Sequence, residues 1–123
     1  MPAKLGLMLA VLTVAGAAPA FAQSNCDAPI PPVSPDGHTA TQQQLVAAVG
    51  DAKSFISQSD VYQQCLLDYV KAQKDLATEN KTPFDTSIET GAQKQIDANQ
   101  ATKVRVGSEI NTAVNAYKMA HPK

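Results

Sequence analysis

The sequence predicts an all-α protein: an antiparallel hairpin of two long helices, preceded by a Pro-rich N-terminal strap. In two long stretches, apolar and small residues recur every three or four positions, which is the spacing of one helix face. A turn containing Pro83 separates these stretches, and no run alternates as a strand would. We therefore divide the chain into residues 1–22, the extended segment 23–40 and a helical domain 41–123.

Residues 1–22 have the organisation of a cleavable secretory signal peptide. The basic residue Lys4 precedes an uncharged apolar run from Leu5 to Ala18, and small residues stand just before Gln23. The run is shorter than the ~20 apolar residues that span a bilayer. We expect export to the periplasm or the cell exterior, with no stable membrane insertion after the signal is cleaved.

The remaining chain is small and slightly acidic. The whole sequence has 10 basic and 11 acidic side chains, and removal of Lys4 leaves nine basic ones, a net charge of −2. Without a basic stripe the protein is not expected to bind nucleic acid. Trp is absent and aromatic residues make up 5% of the chain, so the core should be thin.

The two cysteines, Cys26 and Cys65, are expected to form one disulfide, because an even count in an exported protein indicates a bridge. Residues 41–65 as a helix extend about 36 Å, and the 14 residues of 27–40 can reach roughly 45 Å. The bridge is possible only if that segment lies back along the helix. Its four prolines favour such a stiff, extended strap. An intermolecular bridge and free thiols are the alternatives.

The first helix is predicted over residues 41–79, with Thr39 or Thr41 as its N-cap. Its stripe includes Leu45, Ala48, Ala52, Phe55, Ser59, Tyr62, Leu66, Tyr69 and Leu76. A competing interpretation breaks the helix at 57–60, where Ser and Asp favour caps over helix interiors. That break would produce a three-helix bundle, although the heptad phase continues across it.

The second helix is predicted over residues 86–120, because Pro83 ends the first helix and Asp85 can cap the next one. A short connection implies antiparallel, coiled-coil-like packing. The matched stripes pair Leu76 with Ile88, Tyr69 with Ile96, Leu66 with Asn99, Tyr62 with Lys103, Ser59 with Val106, Phe55 with Ile110 and Ala52 with Ala113.

A polar layer lies at the centre of this register and forms the candidate binding site: Ser59, Tyr62, Asn99 and Lys103. Buried polar groups without partners are costly, so the layer could be a groove for a partner or small ligand. In the alternative interpretation the layer is partly open, covered by the strap, and Lys103 extends to solvent.

No pattern of catalytic or metal-binding residues is recognisable. The histidines, His38 and His121, lie in the Pro-rich segment and at the C-terminus, far from a set of converging ligands. A nucleophile motif, a glycine-rich phosphate loop and a haem attachment motif are all missing from the sequence. We therefore expect no enzymatic activity, no catalytic residues, no bound metal and no cofactor.

The stretches 59–66 (SDVYQQCL) and 113–122 (AVNAYKMAHP) resemble segments of small, uncharacterised exported proteins of Gram-negative bacteria. The resemblance implies a helical periplasmic protein, but it implies no activity and assigns no functional residue. The expectation is thus a non-enzymatic protein with an interaction or envelope-maintenance role, binding another protein or a second copy of itself. The alternative is a helical bundle that binds a small ligand or a metal.

Overall fold

The computed structural model describes residues 25–123, so the predicted signal peptide lies outside the described residues. Two helices, α1 (Gln42–Glu79) and α2 (Thr86–Ala120), pack against each other, and residues 25–123 contain no strand. Ion pairs between α1 and α2 join Lys74 to Glu89 and Asp60 to Lys103, an order that requires antiparallel helices. The all-α hairpin predicted from the sequence is confirmed.

α1 begins with a capping box and continues without a break. The Thr41 hydroxyl accepts a hydrogen bond from the Gln44 amide, and the Gln44 side chain accepts one from the Thr41 amide. Helical backbone runs through residues 57–60, so the three-helix alternative is wrong. Ser59 is tolerated inside the helix because its hydroxyl is fully buried and accepts a hydrogen bond from Asn99 on α2.

The turn between the helices is a Schellman motif. Thr82 donates its amide hydrogen to the Ala77 carbonyl at 2.9 Å, and Lys81 donates to the Thr78 carbonyl at 3.2 Å. Lys81 adopts a φ of 54°, a left-handed conformation that glycine usually supplies. The next helix then begins after Asp85, whose carboxylate accepts the Ser87 amide at 3.0 Å.

Most of the buried core lies in two clusters along the seam. One contains Ala52, Phe55, Val106 and Ile110, which confirms the predicted contact layer of Phe55 and Ile110. The other contains Tyr62, Leu66, Val70 and Ala92, with Cys26, Phe84, Ile88 and Ile96 packed against it.

The seam is shorter than the predicted stripes. On α1 the last buried residue is Val70, and on α2 the first is Ala92. Leu76 is 49% exposed, and Ile88 packs against the cluster around Leu66. The predicted Leu76–Ile88 layer is therefore not part of the core, because two helices without a third element leave one side of each layer open.

The strap, residues 25–40, supplies the third element. The Cys26–Cys65 disulfide is present, with Cα atoms 5.8 Å apart, and Cys26 packs against the second cluster. At the other end, a Cβ on Gly37 would lie 1.9 Å from the Ala113 carbonyl oxygen, so the strap approaches α2 as closely as glycine allows. The predicted strap that lies back along α1 is therefore confirmed.

Candidate interaction surface

The polar layer predicted as a binding site is internally hydrogen-bonded. The Asn99 amide nitrogen donates to the Ser59 hydroxyl at 3.1 Å, and the Gln63 amide nitrogen donates to the Asn99 side-chain oxygen at 2.8 Å. Ser59 is fully buried and Asn99 nearly so. The sequence prediction missed Gln63, although Ser59 and Gln63 stand four residues apart on one helix face.

Tyr62 and Lys103, the other two residues of the predicted site, have different surroundings. Tyr62 is buried in the second apolar cluster, and the Lys103 ammonium forms an ion pair with Asp60 at the helix surface. The hydrogen bonds of Asn99 to Ser59 and Gln63 join the two helices at this layer. Binding of a partner by these four residues stays a prediction.

Two open clefts flank the disulfide, and Cys26 and Cys65 line both. The larger has a volume of about 680 Å³ and is lined by Asn25, Cys26, Asp27, Ala28, Pro29, Ile30, Ser57, Gln58, Val61, Tyr62 and Cys65. The smaller has a volume of about 500 Å³ and is lined by Asn25, Cys26, Val61, Gln64, Cys65, Asp68 and Tyr69. Val61 lies between them and is 70% exposed.

The Tyr69 side chain lines the smaller cleft. Its hydroxyl is buried and has no hydrogen-bond partner within the described part of the chain. A buried hydroxyl without a partner is destabilising. Within the described part of the chain, Tyr69 thus lines the cleft while its hydroxyl stays buried and unpaired.

Burial along the strap repeats every third residue. The half-buried positions include Cys26, Pro29, Pro32 and Pro35, whereas Asp27, Ile30, Val33 and Asp36 are all exposed. Three residues per turn is the repeat of a polyproline II helix, which the prolines favour. The prolines at 29, 32 and 35 already have this spacing, so the sequence itself contains a signal for the three-residue repeat. We call Asp27, Ile30, Val33 and Asp36 the exposed edge.

The apolar members of the exposed edge are unusual. Val33 is 92% exposed and Ile30 is 89% exposed, the two highest values among the large apolar side chains of residues 25–123. The other exposed large apolar side chains of these residues, such as Val104, lie on the helices. Single exposed apolar residues are normal on a protein surface. Two that are one turn apart on a stiff segment form a short apolar strip.

Of the two histidines, His38 adjoins the exposed edge through Asp36. His121 follows α2 and stacks on the Tyr117 ring at 4.2 Å, while His38 lies in the turn before α1 and donates its amide hydrogen to the Asp36 carboxylate. Across residues 25–123, no three His, Cys, Asp or Glu side chains are grouped so that they could hold a metal ion. Neither α1 nor α2 is long and apolar enough to cross a membrane.

No protein-family model, curated protein or solved structure matches this chain. The class defined by the fold is a helical hairpin strapped by one disulfide. Its function has to be inferred from the geometry and chemistry of its own residues.

Proposed function

We propose that the protein is a non-enzymatic interaction protein of the periplasm or cell exterior, and that it binds a macromolecular partner through the strap and the adjoining face of α1. One observation carries the proposal. Among residues 25–123, the most exposed large apolar side chains, Ile30 and Val33, lie on the strap, and Ile30 lines the same cleft as the exposed Val61. Grouped exposed apolar side chains are typical of protein interaction sites.

Two features support the proposed address. The first is the signal-peptide pattern of residues 1–22. The second is the Cys26–Cys65 disulfide, because such bonds persist mainly in oxidising compartments. Mass spectrometry of the protein from the periplasmic fraction or culture medium should find a chain that begins at Gln23 and lacks two hydrogens. A chain that retains residues 1–22 in the cytoplasm would contradict the address.

Site-specific photo-crosslinking tests the interaction. A photoreactive amino acid replaces Val61 in the full chain, and a matched variant carries it at Val104, which is 64% exposed on α2 and lines neither cleft. We expect a discrete cross-linked product from position 61 in intact cells and none from position 104. Equal products from both positions, or none from position 61, would refute the proposed interaction face.

A small-ligand site is the second candidate, and the smaller cleft, which Tyr69 lines, favours it. Ligand sites commonly have volumes of about 300–1,000 Å³, a range that includes this cleft. Native mass spectrometry of protein purified from its own cells would detect a retained ligand mass. Loss of that mass in Tyr69→Ala, which removes a lining side chain, would support this candidate, and an unliganded mass would remove it.

A further inference from the structure

The exposed edge has a regular chemical pattern. From Asp27 to Asp36 the order is acid, apolar, apolar, acid. Each residue follows the previous one by three positions, which is one turn of a polyproline II helix. A polyproline II helix rises about 3.1 Å per residue, so Ile30 and Val33 project about 9 Å apart. Such a strip is narrow and straight, and a groove fits it better than a flat surface does.

The edge is held in place at both ends before any partner arrives. The Cys26–Cys65 disulfide fixes one end, and the close contact of Gly37 with Ala113 fixes the other. Between residues 25 and 35 no backbone–backbone hydrogen bond of the described chain ties the strap to the helices, so no helix amide occupies the backbone carbonyls there. Ordering costs on binding fall when a segment is already held in its bound conformation.

The charges of the strap determine which partner it fits. Asp27 and Asp36 bracket the apolar strip, neither forms an ion pair within residues 25–123, and the strap contains no Lys or Arg. Asp68 adds a third carboxylate beside the disulfide. Complementary charges steer a partner and fix its position.

We propose that the exposed edge is a built-in polyproline-type ligand, recognised by a groove on another protein that is lined with aromatic side chains and flanked by Lys or Arg. Flat aromatic rings pack against polyproline II ridges and donate hydrogen bonds to their backbone carbonyls through Trp or Tyr. Cations on either side of the groove would face Asp27 and Asp36. This inference rests on the proposed function and names the partner class for the same face.

The experiment places the photoreactive amino acid at position 30 or 33, with position 104 as the exposed control, and sequences the cross-linked partner peptide by mass spectrometry. We expect products from both edge positions, and partner peptides that contain aromatic residues next to Lys or Arg. A peptide without them would overturn the inference, and so would a product formed with a second copy of this chain.

Charge reversal provides an independent arm. Asp27→Lys should lower the yield at position 33 at least fivefold, whereas Asp97→Lys makes the same change of net charge on the exposed surface of α2 and should leave the yield unchanged. Far-ultraviolet circular dichroism and intact disulfide mass would show that both variants fold. Equal yields from the two variants would overturn the inference.

The two proposals fail differently. A product at position 61 without products at 30 and 33 refutes the polyproline-type edge but leaves the interaction face standing. Absence of products at 30, 33 and 61 refutes both.

Discussion

The strapped part of the hairpin and its turn end are built from the same two helices, yet only the strapped part has a core. The strapped part, residues 42–70 and 92–120 together with the strap, contains every buried residue of α1 and α2. The turn end, residues 71–91, has none, although it includes the large apolar residues Leu76, Phe84 and Ile88. What differs is the third element. Two helices bury one stripe each, and a strap is needed to cover the open side of the layers.

The turn end depends on weaker devices. Ion pairs join Lys71 to Asp75 and Lys74 to Glu89, all of them substantially exposed. Exposed ion pairs contribute little to the free energy of unfolding, typically below about 1 kcal/mol. The comparison therefore predicts that the two parts differ in local stability, with the turn end opening first.

Removal of the disulfide should have the largest effect. In the double variant Cys26→Ser, Cys65→Ser, the free energy of unfolding should fall by about 4 kcal/mol, because the bond closes a loop of about 40 residues in the unfolded chain. Urea denaturation measures the loss. Hydrogen exchange should show that the strapped part loses protection until it resembles the turn end. Unchanged protection of the strapped part would contradict the comparison.

Gly37→Ala should give the next largest loss. The added methyl group would clash with the Ala113 carbonyl oxygen, so the strap must move away from α2, at a cost of roughly 1–3 kcal/mol. Gly50→Ala is the matched control. A Cβ there meets nothing within 4 Å, and alanine should stabilise the helix by about 1 kcal/mol. Thermal unfolding should move in opposite directions for the two variants; a shift in the same direction would refute the close approach.

Ser59→Ala tests the polar layer inside the strapped part. The change removes the acceptor of the buried Asn99 amide, which should cost about 1–2 kcal/mol in the free energy of unfolding. Ser57→Ala, at an exposed position on the same helix, should cost little. Chemical denaturation of both variants decides the point, and equal midpoints would mean that the hydrogen bond contributes nothing.

At the turn end, Lys81→Gly should stabilise the protein by about 1 kcal/mol. Lysine is strained at a φ of 54°, and glycine adopts this conformation without a Cβ clash. Lys94→Gly, in the exposed interior of α2, should instead destabilise the protein by about 1 kcal/mol. If Lys81→Gly also destabilises in thermal unfolding, the left-handed turn conformation is wrong.

The smallest effect should be the acid sensitivity of the turn end. Hydrogen bonding from Ser87, first through its side chain and then through its backbone amide, holds the pKa of Asp85 below its ordinary value of 3.8. A lowered folded-state pKa contributes stability above about pH 4 and loses it as the pH falls through the folded value. Wild type should therefore lose more stability than Asp85→Asn between pH 4 and pH 2. Parallel pH profiles from thermal unfolding would contradict this.

The hairpin could be predicted from the sequence because helix periodicity and caps depend on residues that are close together in the chain. The disulfide could be predicted because the exported chain is expected to pair its two cysteines. Phe55 and Ile110 fell in one layer since apolar spacing places both on the seam. Leu76 was misjudged because its burial depends on whether a third element covers that layer, which spacing along one helix does not contain.

The candidate surface was the harder part to predict. Ser59 and Asn99 were correctly placed together at the centre, but hydrogen-bond direction decided that they join each other and Gln63. The exposure of Ile30 and Val33 followed from which edge of the strap faces the helices. The proline spacing indicates the three-residue repeat. Which residues of the repeat face solvent follows only from the positions of Cys26 and Gly37 in the structure.

The position of the Cys26–Cys65 bond also bears on how the protein responds to mechanical tension. The bond closes a covalent ring that contains nearly all of the strap and most of α1, while all of α2 lies outside it. Pulled from its two ends, the oxidised chain can unravel α2 but cannot lengthen within the ring. Reduction would release 39 residue steps at about 3.5 Å each, roughly 130 Å of extra contour length.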